Sequence, residues 1–372
     1  MEFTADRLVL LEMAQKTMRL ASESSPLEML KGIYLESDED TGEVSMIATN
    51  YEAAIFLKEN ATVLRSGKLV INAKLLTRIL TMFSGDQVNF SSDCNAVRIS
   101  SGSCVYNLVY MPAENYPKPV MPFPDDTFKL SGICGLARKT VFAVAKSNDK
   151  PSLECIYLKV RQNSALAAAC DGIRMILVKG QAESSGVHEF LIPAQSFQIL
   201  ASISTDQDVF SVGLAGREAV FTKKGMLFSI KLQSGDFIDT NAVVQSLRPK
   251  YTAVTDIALI RQALDIVSAG TETAPVKLVF ANDAICLNRV GEMSLSSSEV
   301  SARLTGIMPE SGFFYKLDYL VKLFQVISGT VKIEIDDKGM MLVRTKNEVY
   351  FQLPVKAPAN KVNESVKQDS AA

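Results

Sequence analysis

The chain has 372 residues, 47% of them hydrophobic, and 39 Lys and Arg against 41 Asp and Glu leave a net charge of −2. That length is a soft prior for two to three domains with ample cores. No apolar run approaches the ~20 residues of a membrane span, and the acidic opening MEFTADRLVL is unlike a secretory signal, so the expectation is a cytoplasmic globular protein with no membrane partner. The near-neutral total announces no nucleic-acid binder, although a basic face could be balanced by an acidic one elsewhere.

Taken in chain order, the first element is a helix over 6–21, with Glu12, Gln15, Lys16 and Arg19 on a polar face and Leu11, Ala14 and Met18 on the apolar one. Strands follow at 30–37 and 44–50. The run LVINAKLLTRILTMF (69–83) changes from extended to helical spacing and carries Lys74 and Arg78 at i, i+4, and 88–111 alternates as strands. The same order then returns: a helix over 131–147 marked by Arg138, Lys139 and Lys146, strands at 153–160 and 166–172, a strand running into a helix at 190–203, and a meander at 208–232 whose turns fall at Gly216 and Gly225. It returns a third time as a helix over 256–269 with Arg261, strands at 276–282 and 284–290, a second helix within 313–327 bearing Lys316 and Lys322, and terminal strands at 331–355. The connectors 111–127 and 234–254 read as stiff and polar, and 358–372 reads as a disordered tail.

The absences weigh against an enzyme. His188 is the single histidine, so no multi-histidine metal site can be built. Neither a G-x-x-x-x-G-K-[ST] loop nor a G-x-G-x-x-G opening a helix occurs. The six cysteines lie without C-x-x-C spacing and read as reduced core thiols. No cofactor or metal is expected.

Several segments, in order, resemble pieces of one family: MEFTADRLVLLEMAQ, LKGIYLE, VSMIATN, VINAKLLTRIL, YMPAENYPK, AACDGIRM, GDFID and YFQLPVKA. Together with the three-fold repeat they make residues 1–357 similar to the bacterial sliding clamp, the beta subunit of DNA polymerase III. The resemblance implies an α+β DNA clamp fold of three repeated domains, 1–120, 127–246 and 247–357, each with two helices packed on strand-rich sheets, closing into a ring as a head-to-tail homodimer. It implies a non-catalytic processivity factor that encircles duplex DNA without reading sequence. The cations named above, together with Lys150, are the residues expected to face DNA.

By the same resemblance a second surface is a hydrophobic peptide groove. The family's T-D-G-H-R-L element stands here as Cys170, Asp171, Gly172, Ile173, Arg174 and Met175, its F-P-D-Y-R-R-V segment as Phe237 through Val243 with Ile238 and Ala242, and its closing segment as Phe351, Gln352, Leu353, Pro354, Val355, Lys356 and Ala357. Leu153 matches a groove-lining leucine. Implied partners are the polymerase III catalytic subunit, the clamp loader, other polymerases and repair proteins, through short motifs. For ring closure the resemblance points to Tyr106 and Leu108 on one edge strand and Val267 on the facing helix. Two other readings stay open at this stage: an enzyme using carboxylates such as Asp171 or Asp239, and a diverged clamp serving a phage, a plasmid or repair polymerases.

Overall fold

The computed structural model describes residues 1–21, 25–94, 96–120, 124, 126–147, 149–269, 274–290, 295–306 and 308–357. The tail expected at 358–372 and part of the first connector lie outside them. The chain divides into two compact units. One contains Met1–Cys134, Val160–Asn163 and Gln181–Ser234, the other Gly135–Lys159, Ser164–Gly180 and the residues from Gly235 onward.

The helices among the described residues are α1 (Arg7–Met18), α2 (Ala73–Met82), α3 (Ile133–Thr140), α4 (Ala194–Ser202), α5 (Thr240–Ser246), α6 (Ile257–Ser268) and α7 (Leu317–Val326). Six of them arise in the same way, at the end of a strand. Glu2–Asp6, Thr127–Ser131 and Tyr251–Asp256 lead to α1, α3 and α6, and Gly67–Asn72, His188–Pro193 and Phe313–Tyr315 lead to α2, α4 and α7. Where the last strand residue is Asp or Asn, its side chain caps the helix: Asp6 accepts from the Val9 amide, Asn72 from Leu75 and Asp256 from Ala258. The order strand, helix, strands, strand, helix, meander therefore recurs three times, with a leading strand that sequence periodicity did not supply.

In the first unit an antiparallel series runs without a break through Gly67–Asn72, Gly32–Asp38, Glu43–Thr49, Ala53–Asn60, Met226–Lys231, Glu218–Lys223, Val209–Ala215 and Thr127–Ser131. Its hairpin turn at Gly225 has φ +70°, and a Cβ there would sit 2.9 Å from the Lys58 carbonyl oxygen, so glycine is required. In the second unit the corresponding series is Ser164–Cys170, Arg174–Glu183, Glu348–Gln352, Met341–Arg344, Thr330–Ile335, Tyr251–Asp256 and Arg303–Thr305. Each unit thus joins two repeats along one seam: Ala53–Asn60 against Met226–Lys231, and Arg174–Val178 against Glu348–Gln352.

The helices bury one stripe each. On α1 that stripe is Leu10, Met13, Ala14 and Thr17, with Leu11 and Met18 only half-buried, one position off the apolar face expected from spacing. On α6 and α7 it is Ile260, Leu264, Leu320, Leu323 and Phe324, each such side chain stabilising by about 1.5–3 kcal/mol when fully buried. The helix expected over 131–147 stops at Thr140. Its hydroxyl donates back to the Leu136 carbonyl, the backbone tightens to a 3-10 turn over Val141–Ala143, and the Ala145 amide turns to Leu153. Lys146 is therefore off the helix. Of the cysteines, only Cys155 and Cys170 are buried, while Cys94 and Cys104 are exposed. The reading of all six as core thiols is corrected: Cys94 lies in the turn between strands Gln87–Ser92 and Ala96–Ser101, and Cys104 opens the edge strand Cys104–Val109.

Candidate partner groove and cation-bearing helices

The residues assigned to a groove come together in the second unit. The turn Asp171–Gly172 is forced by Gly172 at φ +89°, and Asp171 Oδ1 accepts from the amides of Ile173 and Arg174 at 3.0 and 2.9 Å. This starts the strand that pairs Arg174 with Gln352 and Met175 with Phe351. The chain end is then pinned by the Leu353 amide donating to the Ile173 carbonyl and the Val355 amide to that of Phe314.

On one face of this seam Leu153, Cys170, Met175 and Phe351 form a buried floor with Leu177 and Leu247, against which Phe237, Ile238, Val243, Val244 and Leu353 are only half-buried. A floor of buried apolar atoms with a partly open apolar rim can take hydrophobic side chains of another chain. Helix α5 supplies one wall, held by Asp239, whose carboxylate accepts from the amides of Asn241 and Ala242 at 3.0 Å each. Tyr157 stacks on Phe237 with ring centroids 5.2 Å apart. Burial raises the thiols of Cys155, to about 11, and of Cys170, so both stay protonated at neutral pH. Leu177, Leu247, Val244 and Tyr157 were not anticipated; Leu177 was within reach, because it lies two residues from Met175 on the same strand face.

Other assigned residues sit elsewhere. Gly172, Ala242 and Lys356 are exposed and Pro354 is half-buried, whereas Val355 bridges to Phe314. Gln352 is fully buried and its Oε1 accepts from the Tyr350 hydroxyl. The Arg174 guanidinium turns away from the apolar cluster: Nε donates to Asp171 Oδ2 at 3.0 Å and Nη2 to the Phe142 carbonyl, and the Tyr319 ring lies 3.6 Å over it. Asp171 and Asp239, the carboxylates of the enzymatic reading, are thus both spent on local backbone and an arginine.

The cations divide as well. Lys74, Arg78, Arg19, Arg138, Lys146, Lys150 and Lys322 are exposed, and Lys16 pairs with Glu12 at 2.5 Å. Lys316 precedes α7, its ammonium 4.8 Å from the Tyr319 ring centre. Two expectations change. Lys139 is held by the nearly buried Glu348 at 2.6 Å, and Arg261 donates from Nε to the Phe324 carbonyl at 2.5 Å and from Nη2 to that of Ile327, closing the C-terminus of α7. Both act first as structural ties, Lys139 to a nearly buried carboxylate and Arg261 to the carbonyls that a helix end leaves in need of donors.

For ring closure, Tyr106 is exposed, but Leu108 and Val267 are buried within the chain itself. Strand alternation and the inward stripe of α6 put them in cores; Val105, Val109 and Ile266 are the exposed neighbours. The strand Cys104–Val109 ends one sheet and Leu295–Ser301 ends another. Among the described residues no group of three or more His, Cys, Asp and Glu could hold a metal, and no helix is long and apolar enough to cross a membrane.

Family models for the DNA polymerase III beta subunit match the chain twice, the N-terminal domain over residues 1–122 and the central domain over 130–239. The chain belongs to the DNA polymerase III beta subunit family. The Beta sliding clamp of Bacillus subtilis (strain 168) is 25% identical, the alignment covering 96% of this chain and all of the relative. Among solved structures, the Bacillus subtilis clamp superposes with a TM-score of 0.87 at 21% identity over 96% of this chain and 100% of that one. The Thermotoga maritima beta subunit gives 0.85 at 18% over 96% and 100%. A Pseudomonas aeruginosa clamp solved bound to griselimycin gives 0.85 at 20% over 96% and 99%. The fold is therefore the clamp fold, and members of this family are sliding clamps, non-catalytic processivity factors of DNA polymerase.

Proposed function

We infer that this chain is a replication processivity clamp whose three repeats, 1–120, 127–246 and 247–357, pair with those of a second copy head to tail around duplex DNA. The groove floored by Leu153, Met175 and Phe351 takes short motifs of the polymerase III catalytic subunit, the clamp loader, and other polymerases and repair proteins. A closed ring retains a weakly bound polymerase at its template by raising its effective concentration, with no chemistry of its own. The observation that carries this is the convergence of three sequence segments 60 or more residues apart onto one half-open apolar surface. The exposed cations of α2, α3 and α7, with Arg19, Lys146 and Lys150, give the phosphate attraction, and the unpaired sheet edges at Cys104–Val109 and Leu295–Ser301 give the contact between copies.

The test is the mass in solution together with retention on circular duplex DNA that is lost when the circle is cut. A monomer that never stays on circles overturns the ring. Val109→Asp, on the exposed edge, is expected to give monomer with an unchanged unfolding curve, whereas Leu108→Asp is expected to unfold the first repeat, since a charge there is buried without a partner.

A further inference from the structure

We propose that the first unit carries a second peptide site, a cavity on its own seam that takes a short segment with large apolar side chains flanked by aspartate or glutamate. The cavity encloses about 400 Å³, within the ~300–1,000 Å³ typical of ligand pockets. Phe56, Met226 and Leu227 supply its apolar lining, and Lys58, Lys118 and Lys223 its cations. All six belong to the first unit. The inference rests neither on the groove of the second unit nor on the duplex.

The position follows from the repeat. Leu227 faces Phe56 across the first seam as Val349 faces Leu177 across the second. Leu177 and Val349 belong to the groove's apolar cluster with Tyr157 and Phe237, and Phe56 packs against the enclosed core of Tyr34 and Tyr116. The cavity therefore stands in the first unit where the groove cluster stands in the second. What differs is charge. Two residues after Phe237 the second connector has Asp239, committed to two backbone amides, whereas two residues after Tyr116 the first has Lys118, at the cavity. Among the described residues that line the cavity there is no Asp or Glu. Glu43, Glu36 and Asp208 pair with the three lysines from outside the lining. An ammonium has three donors, so one such partner does not exhaust it, and the Lys58 and Lys118 side chains stay 42% and 47% exposed. An entering segment rests its apolar side chains on Phe56, Met226 and Leu227 while its carboxylates meet three cations. A segment flanked by lysines meets like charge at the same place.

The experiment uses the full chain with carbon-13 in its methionine methyl groups. Met226 lines the cavity and Met175 floors the groove, so one spectrum reports both, with Met226→Leu and Met175→Leu assigning the two signals. The probe is a short peptide of Leu and Phe between Asp residues, and its control carries Lys in place of each Asp. The acidic probe is expected to shift Met226 saturably, both in the parent and in Leu353→Asp, where the rim charge disables the groove. The control is expected to bind the cavity at least about tenfold more weakly, because like charges then face each other. Thr222 is exposed at the cavity, and the indole of Thr222→Trp covers its mouth; this variant should lose the Met226 response and keep the parental unfolding curve. A probe that leaves Met226 unmoved overturns the second site whatever Met175 does, and a shift of Met226 without Met175 supports it while the groove reading falls. Equal binding of the control, or a Met226 response that survives in Thr222→Trp, overturns the assignment. A Met226 shift that appears on concentrating the parent without peptide gives the face to a second copy and overturns the peptide as its occupant.

Discussion

The two seams are built from the same parts and finished differently. In the first unit the connector brings Tyr116 onto Tyr34, 5.6 Å between ring centres, and both sink into a small closed core with Ile47, Val70 and Ala113. Lys118 then seals it, bonded to Glu36 at 2.8 Å with its ammonium 4.8 Å from the Tyr34 ring centre. Burial holds the Tyr116 hydroxyl far above its ordinary value. In the second unit Phe237 stacks on Tyr157 in the equivalent way, but the connector continues into α5 and the last strand runs past it, leaving Ile238, Val243 and Leu353 half-buried. The aromatic pair is enclosed in one unit and half-open in the other, because the second connector carries no counterpart of the Lys118 bond to Glu36; the first seam itself still bears an open apolar cavity of about 400 Å³ lined by Phe56, Lys118, Met226 and Leu227.

That difference can be broken from either side. The largest effect is expected from Tyr116→Ala, which empties a closed core and should cost about 3–5 kcal/mol in urea unfolding; Phe237→Ala, on the half-open seam, should cost about 1–2 kcal/mol and instead weaken a clamp-binding peptide. Equal losses of stability at the two positions would show that Phe237 is as enclosed as Tyr116. Next comes Leu353→Asp, expected to abolish binding of a pentapeptide with Leu and Phe anchors, more than 100-fold, while the protein keeps its mass and its retention on circular DNA, since a rim charge is desolvated only when a peptide covers it. Met175→Asp does not serve here. Met175 is 1% exposed, and a charge on the floor would damage the core before any peptide arrives.

The smallest effect concerns acid. Burial pushes the carboxyls of Asp208 and Glu334 up, but hydrogen bonds from Lys223, and from Lys332 and Arg344, outweigh it and hold both below their ordinary values. A carboxylate with a lowered folded pKa stabilises above the unfolded value, about 4, and that contribution disappears as pH falls through the folded value. Thermal unfolding between pH 6 and 2.5 should therefore show a shallower acid loss in Glu334→Gln than in the parent. Asp208→Asn should show a smaller change of the same sign, because its side chain is 20% exposed against 8% for Glu334. Parallel curves for parent and both variants would remove these ion pairs from the acid response.

Local pattern in the sequence determined much of this protein: the three-fold order of elements, the strand-to-helix junction at Asn72, the start of the helix at Asp256, the glycine turns at 216 and 225, and the three segments that build the groove. These are legible because periodicity, caps and turn residues act over a few neighbours. The strands Ala53–Asn60 and Arg174–Glu183, which form the two seams, went unread, since strands buried on both faces do not alternate. Which cations are tied to distant groups was equally illegible: Lys139 meets Glu348, 209 residues away, and Arg261 meets the end of α7 more than 60 residues on. Leu108 and Val267 read as contact residues yet face inward, because a two-residue alternation or a helical stripe says which side chains share a face but not which face the rest of the chain will cover. Only the tertiary structure made that choice, and with it decided that the aromatic pair Tyr34 and Tyr116 is enclosed while Tyr157 and Phe237 stay half-open.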